Sequence, residues 1–370
     1  MKKRYHVLLS RPFDLDKFDR DAAQGRCPRH ATSLLRHALD AEVHQPVGHE
    51  VVVTDRLWGR AFAVSPQQSA IGRVLAQRLT DQDVIFAAGE DVGFPLAFAL
   101  RGNATRPRLV VEVHNPQGAR PLFALRHLGL DETVDLFVVT ADFKAEFLTR
   151  ELRFRSQQVH SMNQTTDTDF FTPGPPSPDK QRPLIAASGL EQRDYITLAA
   201  ATKDMDVDVR ICAVSPNATA RRGTFPKVVP DNMRAQYYDW TDLLQLYRDA
   251  DVVVIPLRPN GIGAGQTAIM EALACARPVV TTTQAGSMVD TCAADGLLDA
   301  VPPQEADALQ RAILEVLEHP EQAAERASRA RARMVEGFSP ERWVRHMTGL
   351  LRPEVPPRSL SPWDHREELR

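Results

Sequence analysis

Short apolar runs alternate along this chain with longer stretches in which apolar side chains recur at helical spacing. That alternation predicts βαβ units and parallel sheets. A first strand is expected over residues 5–9, a long polar loop over 10–29 and a helix over 30–39. A further strand is expected at 51–53, and a helix over 66–79 with Ser65 as its cap. Three buried strands follow at 83–88, 108–113 and 135–140. Each leads into a helical segment, at 93–100, 119–128 and 142–152.

Residues 166–183 break the rhythm. Pro173, Gly174, Pro175, Pro176, Pro178 and Pro183 rule out a helix or a central strand there, and the stretch reads as an interdomain hinge. The alternation then restarts, with strands at 184–187, 208–214, 251–256 and 278–282. The matching helices lie at 195–201, 242–248 (Thr241 as cap) and 266–275. Two consecutive α/β domains are expected to bind ligands at the carboxyl ends of their strands. The tail 353–370 is polar and proline-containing and is expected to pack loosely.

Composition narrows the function classes. The chain has 370 residues, more than one typical core, with 43% hydrophobic and 25% charged residues. A net charge of −3 supplies no global field for nucleic acid. Cys27, Cys212, Cys275 and Cys292 form no CxxC pair, which argues against a zinc site or a disulfide framework. The opening MKKRYHVLLS reads as a strand and not as a signal peptide, and no apolar run approaches the roughly 18 residues of a membrane span. A cytoplasmic protein is expected.

The chemistry concentrates at 251–286, DVVVIPLRPNGIGAGQTAIMEALACARPVVTTTQAG. A buried strand runs into a loop carrying Gly261, Gly263, Ala264 and Gly265, and a helix begins near Gln266. Glycines let backbone approach a bulky ligand, and the amides and dipole of a helix start favour phosphate. Gln266 and Thr267 add side-chain donors. Glu271, more than one turn on, is placed to accept hydrogen bonds from two ribose hydroxyls. A GxGxG loop alone is a weak signal; the whole run carries the argument.

That run resembles the family 4-type glycosyltransferases of GT-B fold. The segment 271–280, EALACARPVV, is similar to the family's EALACGxPVV. Residues 242–252 resemble DLxxLYxxADV, and 184–195 resemble GRLxxxKDyxTLLEA. Residues 167–174, DTDFFTPG, resemble the linker into the second domain, and Asp295, Gly296 and Pro302 fit DGxxGxxVPP. Residues 338–351 resemble the terminal helix that crosses back to the first domain. In the N-terminal half the likeness rests on strand order and on Val113-His114-Asn115-Pro116.

The resemblance implies two Rossmann-like α/β domains facing each other across a cleft: 1–170 on the acceptor side, 171–337 binding the nucleotide sugar, and 338–370 as the returning helix and tail. It implies retaining, metal-independent transfer from a nucleotide diphosphate sugar, a UDP- or GDP-hexose, with no cofactor besides that donor. Arg193, where relatives carry a lysine, becomes the candidate diphosphate clamp; their arginine position is Gly189. Their first glutamate, eight positions before Glu271, is here Gly263, which opens an alternative: a non-catalytic protein that binds a nucleotide sugar or a partner. His114 is implied to contact the sugar or the acceptor. Glu90 is a candidate to orient or deprotonate an acceptor hydroxyl, while Asp91 reads as a cap for the helix that follows.

Arg26 and Arg29 read as a solvated basic loop, with an anion as the alternative. The acceptor class stays open among lipid, saccharide and small metabolite, and a lipid would bring the protein to the inner face of a membrane. Four DxD triplets begin at Asp81, Asp167, Asp204 and Asp206, but none ends a strand, so no metal site is expected. A dinucleotide oxidoreductase would need an acid after the strand 278–282, and none is there.

Overall fold

The computed structural model describes residues 3–213, 220, 223–260, 262–284 and 286–352. Gly261, the expected strand end at Val214 and the tail 353–370 lie outside the described residues. The chain divides into two compact units. The first comprises the chain up to Asp19, His30–Asn163 and the chain from Glu341; the second comprises Arg20–Arg29 and Gln164–Pro340.

In chain order, the first half carries β1 (Arg4–Leu8), α1 (Leu15–Ala23), α2 (Ala31–Leu39), β2 (Glu42–His44), α3 (Val53–Phe62), α4 (Pro66–Arg78), β3 (Asp83–Ala87) and α5 (Glu90–Ala99). It continues through β4 (Arg108–Val113), α6 (Ala119–His127), β5 (Leu136–Val139), α7 (Asp142–Glu146) and β6 (Val159–Ser161). The six strands form one parallel sheet in the order β2-β1-β3-β4-β5-β6.

Both faces of this sheet are covered, as an all-parallel sheet requires. Successive side chains on each strand alternate between the faces. Ile85, Ala87, Leu109, Val111, Phe137 and Val139 join one core with α4 and α5. Val84, Phe86, Val110, Leu136 and Val138 join the other, with Leu35 and Leu39 of α2.

The second half carries β7 (Leu184–Ser188), α8 (Tyr195–Thr202), β8 (Asp208–Cys212), β9 (Met233–Gln236), α9 (Trp240–Asp249), β10 (Val252–Ile255) and α10 (Gln266–Ala274). Next come β11 (Val279–Thr282), α11 (Met288–Ala294), β12 (Asp299–Val301), α12 (Ala306–Glu318), α13 (Pro320–Gly337) and α14 (Pro340–Leu351). These strands form a second parallel sheet, β12-β11-β10-β7-β8-β9. Read from β9, this is the doubly wound order in which the sheet reverses direction between its first and fourth strands, here β7 and β10. From Glu341 onward α14 belongs to the first unit, where Trp343, Met347, Leu350 and Leu351 close the core beside Val7 and Phe86.

The expectations fail mainly where a polar contact redirects the backbone. Residues 51–53 are not a strand: the Asp55 carboxylate accepts from the Val52 amide, 2.9 Å, and Val53 opens α3. The second strand of the first half is β2, at Glu42–His44, instead. The loop 10–29 contains α1, and Asp14 accepts from the Lys17 amide at its start, 2.8 Å. Helix α9 begins earlier than expected and is capped by Asp239, which accepts from the Asp242 amide, 2.8 Å, rather than by Thr241. Ser65 does cap α4. Residues 166–183 hold neither helix nor strand.

Candidate functional site

Ligands of open parallel sheets bind outside the strand ends at the switch point. In the second unit this is where the chain leaves β7 and β10. The two exits are laced together: the Asp194 amide donates to the Pro256 carbonyl, 2.9 Å, and the Arg258 amide to the Gln192 carbonyl, 2.9 Å. From β11, Thr281 Oγ1 donates to the Ile255 carbonyl, 2.8 Å, and Thr282 Oγ1 to the Leu257 carbonyl, 3.1 Å.

The loop after β10 is held from within. Asn260 Oδ1 accepts from the amides of Ile262, 3.3 Å, and Ala264, 3.2 Å. Gln284 donates to the Ala264 carbonyl, 3.2 Å. Gly265 precedes α10 at φ +88°, and an added Cβ would lie 3.1 Å from Leu257 Cδ1. Glycine is therefore needed there for conformation and for space. Gly263 also has positive φ, +68°. With glycine at the N-cap, α10 starts without a side-chain cap, whereas α8, α9 and α11 have Asp194, Asp239 and Ser287. The first amides of α10 thus point outward with the positive end of the helix dipole behind them. Gln266 is buried, while Thr267 is exposed and donates to Gln164 Oε1 at 3.4 Å.

Glu271 lies on the buried side of α10, 7% exposed. Tyr247 of α9 donates to its Oε2, 2.9 Å, and the Tyr247 hydroxyl lies 2.8 Å from Ser188 Oγ at the end of β7. A phenol has one proton, so the chain of donors runs Ser188 to Tyr247 to Glu271. Among the described residues no hydrogen bond reaches Oε1. Burial raises the Glu271 carboxyl to about 7; the Tyr247 hydrogen bond and the charge of Arg193 pull it back down. Burial likewise pushes the Tyr247 phenol well up.

Arg193 is 4% exposed. Its Nε donates to the Ser188 carbonyl, 2.7 Å, and its Nη1 to the Glu191 carbonyl, 2.8 Å. Its Nη2 lies against Gly189, where an added Cβ would approach to 2.6 Å. Two of its nitrogens are therefore committed to backbone. These two bonds fix the cation beneath the β7 exit and use two of the guanidinium's five N–H donors.

In the first unit the expected residues gather at the carboxyl ends of β1, β3 and β4. Glu90 Oε2 accepts from the His114 amide, 2.9 Å, and Oε1 from the Asn115 amide, 3.1 Å. Both oxygens hold backbone, so Glu90 positions the start of the loop after β4. Asp91 does not cap α5. It accepts from Ser10 Oγ, 2.7 Å, and Gln68 Nε2, 2.6 Å, tying the β1 exit and α4 to the start of α5.

His114 has its side chain 48% exposed, with Nε2 3.3 Å from the Ala88 carbonyl and Nδ1 4.0 Å from Glu112 Oε1. Burial pushes its pKa down, but Glu112 and Glu90 outweigh this and leave it raised. Sequence reasoning missed Glu112, whose own carboxyl is raised chiefly by burial. It reads as one more position of an apolar strand, and only its place two residues before His114 marks it.

Residues 196–319, about a third of the chain, match the family profile described as Glycosyl transferases group 1. This stretch is a glycosyltransferase group 1 domain. No protein of curated function matches the chain. Solved structures do. A glycosyltransferase from Rickettsia africae aligns with a TM-score of 0.65 at 12% identity, covering 95% of this chain and 98% of that one. The Anabaena protein HepE, solved with UDP and glucose, gives 0.64 at 15%, covering 94% and 99%. A UDP-forming α,α-trehalose-phosphate synthase from Burkholderia vietnamiensis gives 0.68 at 13%, covering 95% and 99%. At these identities the likeness is one of fold, and that fold is GT-B.

Within the second unit the structure brings Arg193, Glu271 and the 263–267 turn to one switch point. It adds Ser188, Tyr247, Asn260 and Gln284. Tyr247 was legible only as part of a motif, because nothing in sequence says that a tyrosine 24 positions earlier reaches Glu271.

Three other expectations can be placed. Asp167 and Asp169 are ion-paired to Arg29, at 2.6 and 2.8 Å, which gives Arg29 and that DxD triplet a structural role. All four cysteines are buried and none is in a disulfide, and burial pushes the Cys275 thiol to about 12. Among the described residues one group has metal-ligand spacing, His6, Glu42 and His44 of the first unit. His6 Nδ1 and His44 Nε2 lie 3.0 Å apart, with ring centroids at 5.2 Å and planes 25° apart. That is the head-on geometry of an N–H···N hydrogen bond, not of two lone pairs converging on an ion.

Proposed function

We propose that this protein transfers a hexose from a UDP- or GDP-sugar to a hydroxyl acceptor, with retention and without a metal. The observation that carries the reading is the pairing of an uncapped helix start with a buried carboxylate on the same helix. The amides of Gln266 and Thr267 and the dipole of α10 suit a diphosphate. Glu271 Oε1, one turn in, suits a ribose hydroxyl. The Gly263–Gly265 turn lets the donor approach the backbone closely.

In the transfer, the anomeric carbon exchanges its bond to the phosphate oxygen for one to the acceptor oxygen. Negative charge grows on the departing diphosphate as the acceptor gives up its proton. Preorganised amides and the fixed charge of Arg193 would meet that growing anion at no reorganisation cost. The donor set at this switch point supports the metal-free reading, since Glu271 is committed to Tyr247 on one oxygen and the Asp194 carboxylate is spent on capping α8. On the first unit, half-exposed His114, held by Glu90, offers a polar contact to a sugar or acceptor hydroxyl. The acceptor class remains lipid, saccharide or small metabolite. Gly263 keeps a non-catalytic binding protein as the alternative, because no side chain there can touch the donor sugar.

The test is release of free nucleoside diphosphate from a panel of UDP- and GDP-hexoses, alone and with hydroxyl acceptors, in EDTA and then with Mg²⁺ or Mn²⁺. Turnover in EDTA with an axial-for-axial product by NMR is the expected result. Loss in EDTA that metal restores, or an inverted anomer, would overturn those parts of the proposal. Tight nucleotide binding with no turnover across the panel would assign the non-catalytic alternative.

A further inference from the structure

We propose that the amino ends of β7, β8 and β9 in the second unit form a second anion site, one that takes a phosphate group. A cavity of about 740 Å³ opens there, within the size range of small-ligand pockets. It lies at the opposite end of the sheet from the switch point proposed for the nucleotide sugar. Its cations come from four places in the chain: Arg182 before β7, Lys203 at the end of α8, Arg210 on β8 and Arg234 on β9. Arg210 and Arg234 are register partners on neighbouring parallel strands. Their side chains therefore leave the same face of the sheet, about 5 Å apart at the base. Like charges placed opposite each other destabilise a strand pair.

The acids at hand do not cancel this charge. Arg182 donates to Asp206 and, at 3.2 Å, to Asp208, and Arg210 lies 3.7 Å from the same Asp208. Asp206 is 94% exposed and lies outside the cavity wall, so within the wall one carboxylate serves two guanidinium groups. Lys203 meets only the exposed Asp204, at 3.8 Å. Exposed pairs of this kind contribute little and yield to a better partner. Arg234 has no hydrogen bond or ion pair among the described residues. The described wall thus sets four cations against two acids, Asp208 and Asp231, in a chain whose net charge is −3. A phosphate monoester carries roughly two negative charges near neutral pH and three terminal oxygens, which match two guanidinium forks standing side by side. In the same wall Asn232 Nδ2 donates to the Thr202 carbonyl, 2.9 Å, while its buried Oδ1 has no partner among the described residues. A hydroxyl on the ligand would supply one.

This inference is independent of the transfer reaction, and its test uses no turnover. The full chain is titrated by calorimetry with inorganic phosphate, glucose 6-phosphate and glucose, at low and high salt. The variant R210Q/R234Q is compared with R56Q/R60Q, which removes the same charge from exposed positions of α3 in the first unit. The expected result is saturable binding of both phosphates and none of glucose, weakened by salt. Affinity should fall about tenfold or more in R210Q/R234Q and stay unchanged in R56Q/R60Q. Tighter binding of glucose 6-phosphate than of inorganic phosphate would assign a phosphorylated sugar as the source, and equal affinity would assign the free ion. Without ligand, R234Q should unfold at the parent's temperature or above it, because it removes a like charge. Four results would overturn the proposal: no saturable phosphate binding, equal binding by the parent and R210Q/R234Q, equal losses in the two double variants, or an R234Q chain that unfolds well below the parent.

Discussion

The guanidinium of Arg193 occupies the space that a side chain at Gly189 would need. An added Cβ at Gly189 falls 2.6 Å from Arg193 Nη2, and Gly189 sits at φ +87°. The sequence comparison had presented these as one lost cation at 189 and one retained at 193. In the structure they are one feature: the cation reaches the β7 exit from the loop, and glycine makes room for it.

Gly189→Ala should therefore cost both stability and ligand affinity. The left-handed backbone is strained for alanine by roughly 1–3 kcal/mol. The methyl group must also push aside a guanidinium already tied to two carbonyls. Thermal unfolding should fall by several degrees, and UDP or GDP affinity by calorimetry should weaken several-fold. If the variant binds nucleotide as tightly as the parent, the Arg193 charge does not serve the diphosphate.

Tyr247→Phe separates positioning from binding. The phenol bridges Ser188 Oγ and Glu271 Oε2 in a buried setting. Its removal leaves two buried polar groups short of a partner, at about 1–3 kcal/mol. The expected outcome is a lower unfolding midpoint in urea with unchanged slope. Nucleotide affinity should change less than in Glu271→Ala. An unaltered midpoint would mean that the bridge is not made in solution.

How much of this was legible in the sequence differs between the two halves. Strand β10, the glycine turn and helix α10 are contiguous, so the local pattern of a buried run, glycines and a largely apolar helix was sufficient. The role of Glu90 was not legible, because its partners are the amides of His114 and Asn115, 24 and 25 positions away across two strand exits. The same reason hid Asp91, whose partners are Ser10 and Gln68. The mistaken strand at 51–53 came from three β-branched residues. Their propensity is weak beside one carboxylate, Asp55, that caps a helix and pairs with Arg73. Helices α12 and α13 were within reach of pattern reading, since apolar residues recur at helical spacing in both.

His114 should titrate above an ordinary histidine, and Glu112 should be a cause. Burial lowers the histidine's pKa, but Glu112 and Glu90 more than offset it. Its folded-state pKa is raised, so its contribution to stability is present below the ordinary value of 6.5 and is lost as pH rises through the folded-state pKa. Ring-proton NMR of the parent and of Glu112→Gln would read this directly, with the variant's midpoint lower. Coincident titration curves would remove Glu112 as a partner.

Glu271 gives the sharpest pH dependence. Its carboxyl titrates near 7 in the folded chain against an ordinary 4.5, because burial penalises the charge more than Tyr247 and Arg193 relieve it. Between those values the folded chain holds a proton that the unfolded chain releases. The stability this represents is fully present below 4.5 and is lost as pH rises through 7. The full difference amounts to about 3 kcal/mol. Nucleotide affinity should move in the opposite direction, since a ribose hydroxyl donates best to the ionised form, and binding should tighten from pH 6 to pH 8 on the order of tenfold. Glu271→Gln should flatten both dependences. Glu271→Ala should weaken nucleotide binding by about 1–3 kcal/mol at pH 8. Urea unfolding and calorimetry across that pH range would check the pair. A parent whose stability is flat from pH 5 to 8 would place the carboxyl outside the buried site, and an alanine variant with parent affinity would remove Glu271 from nucleotide recognition.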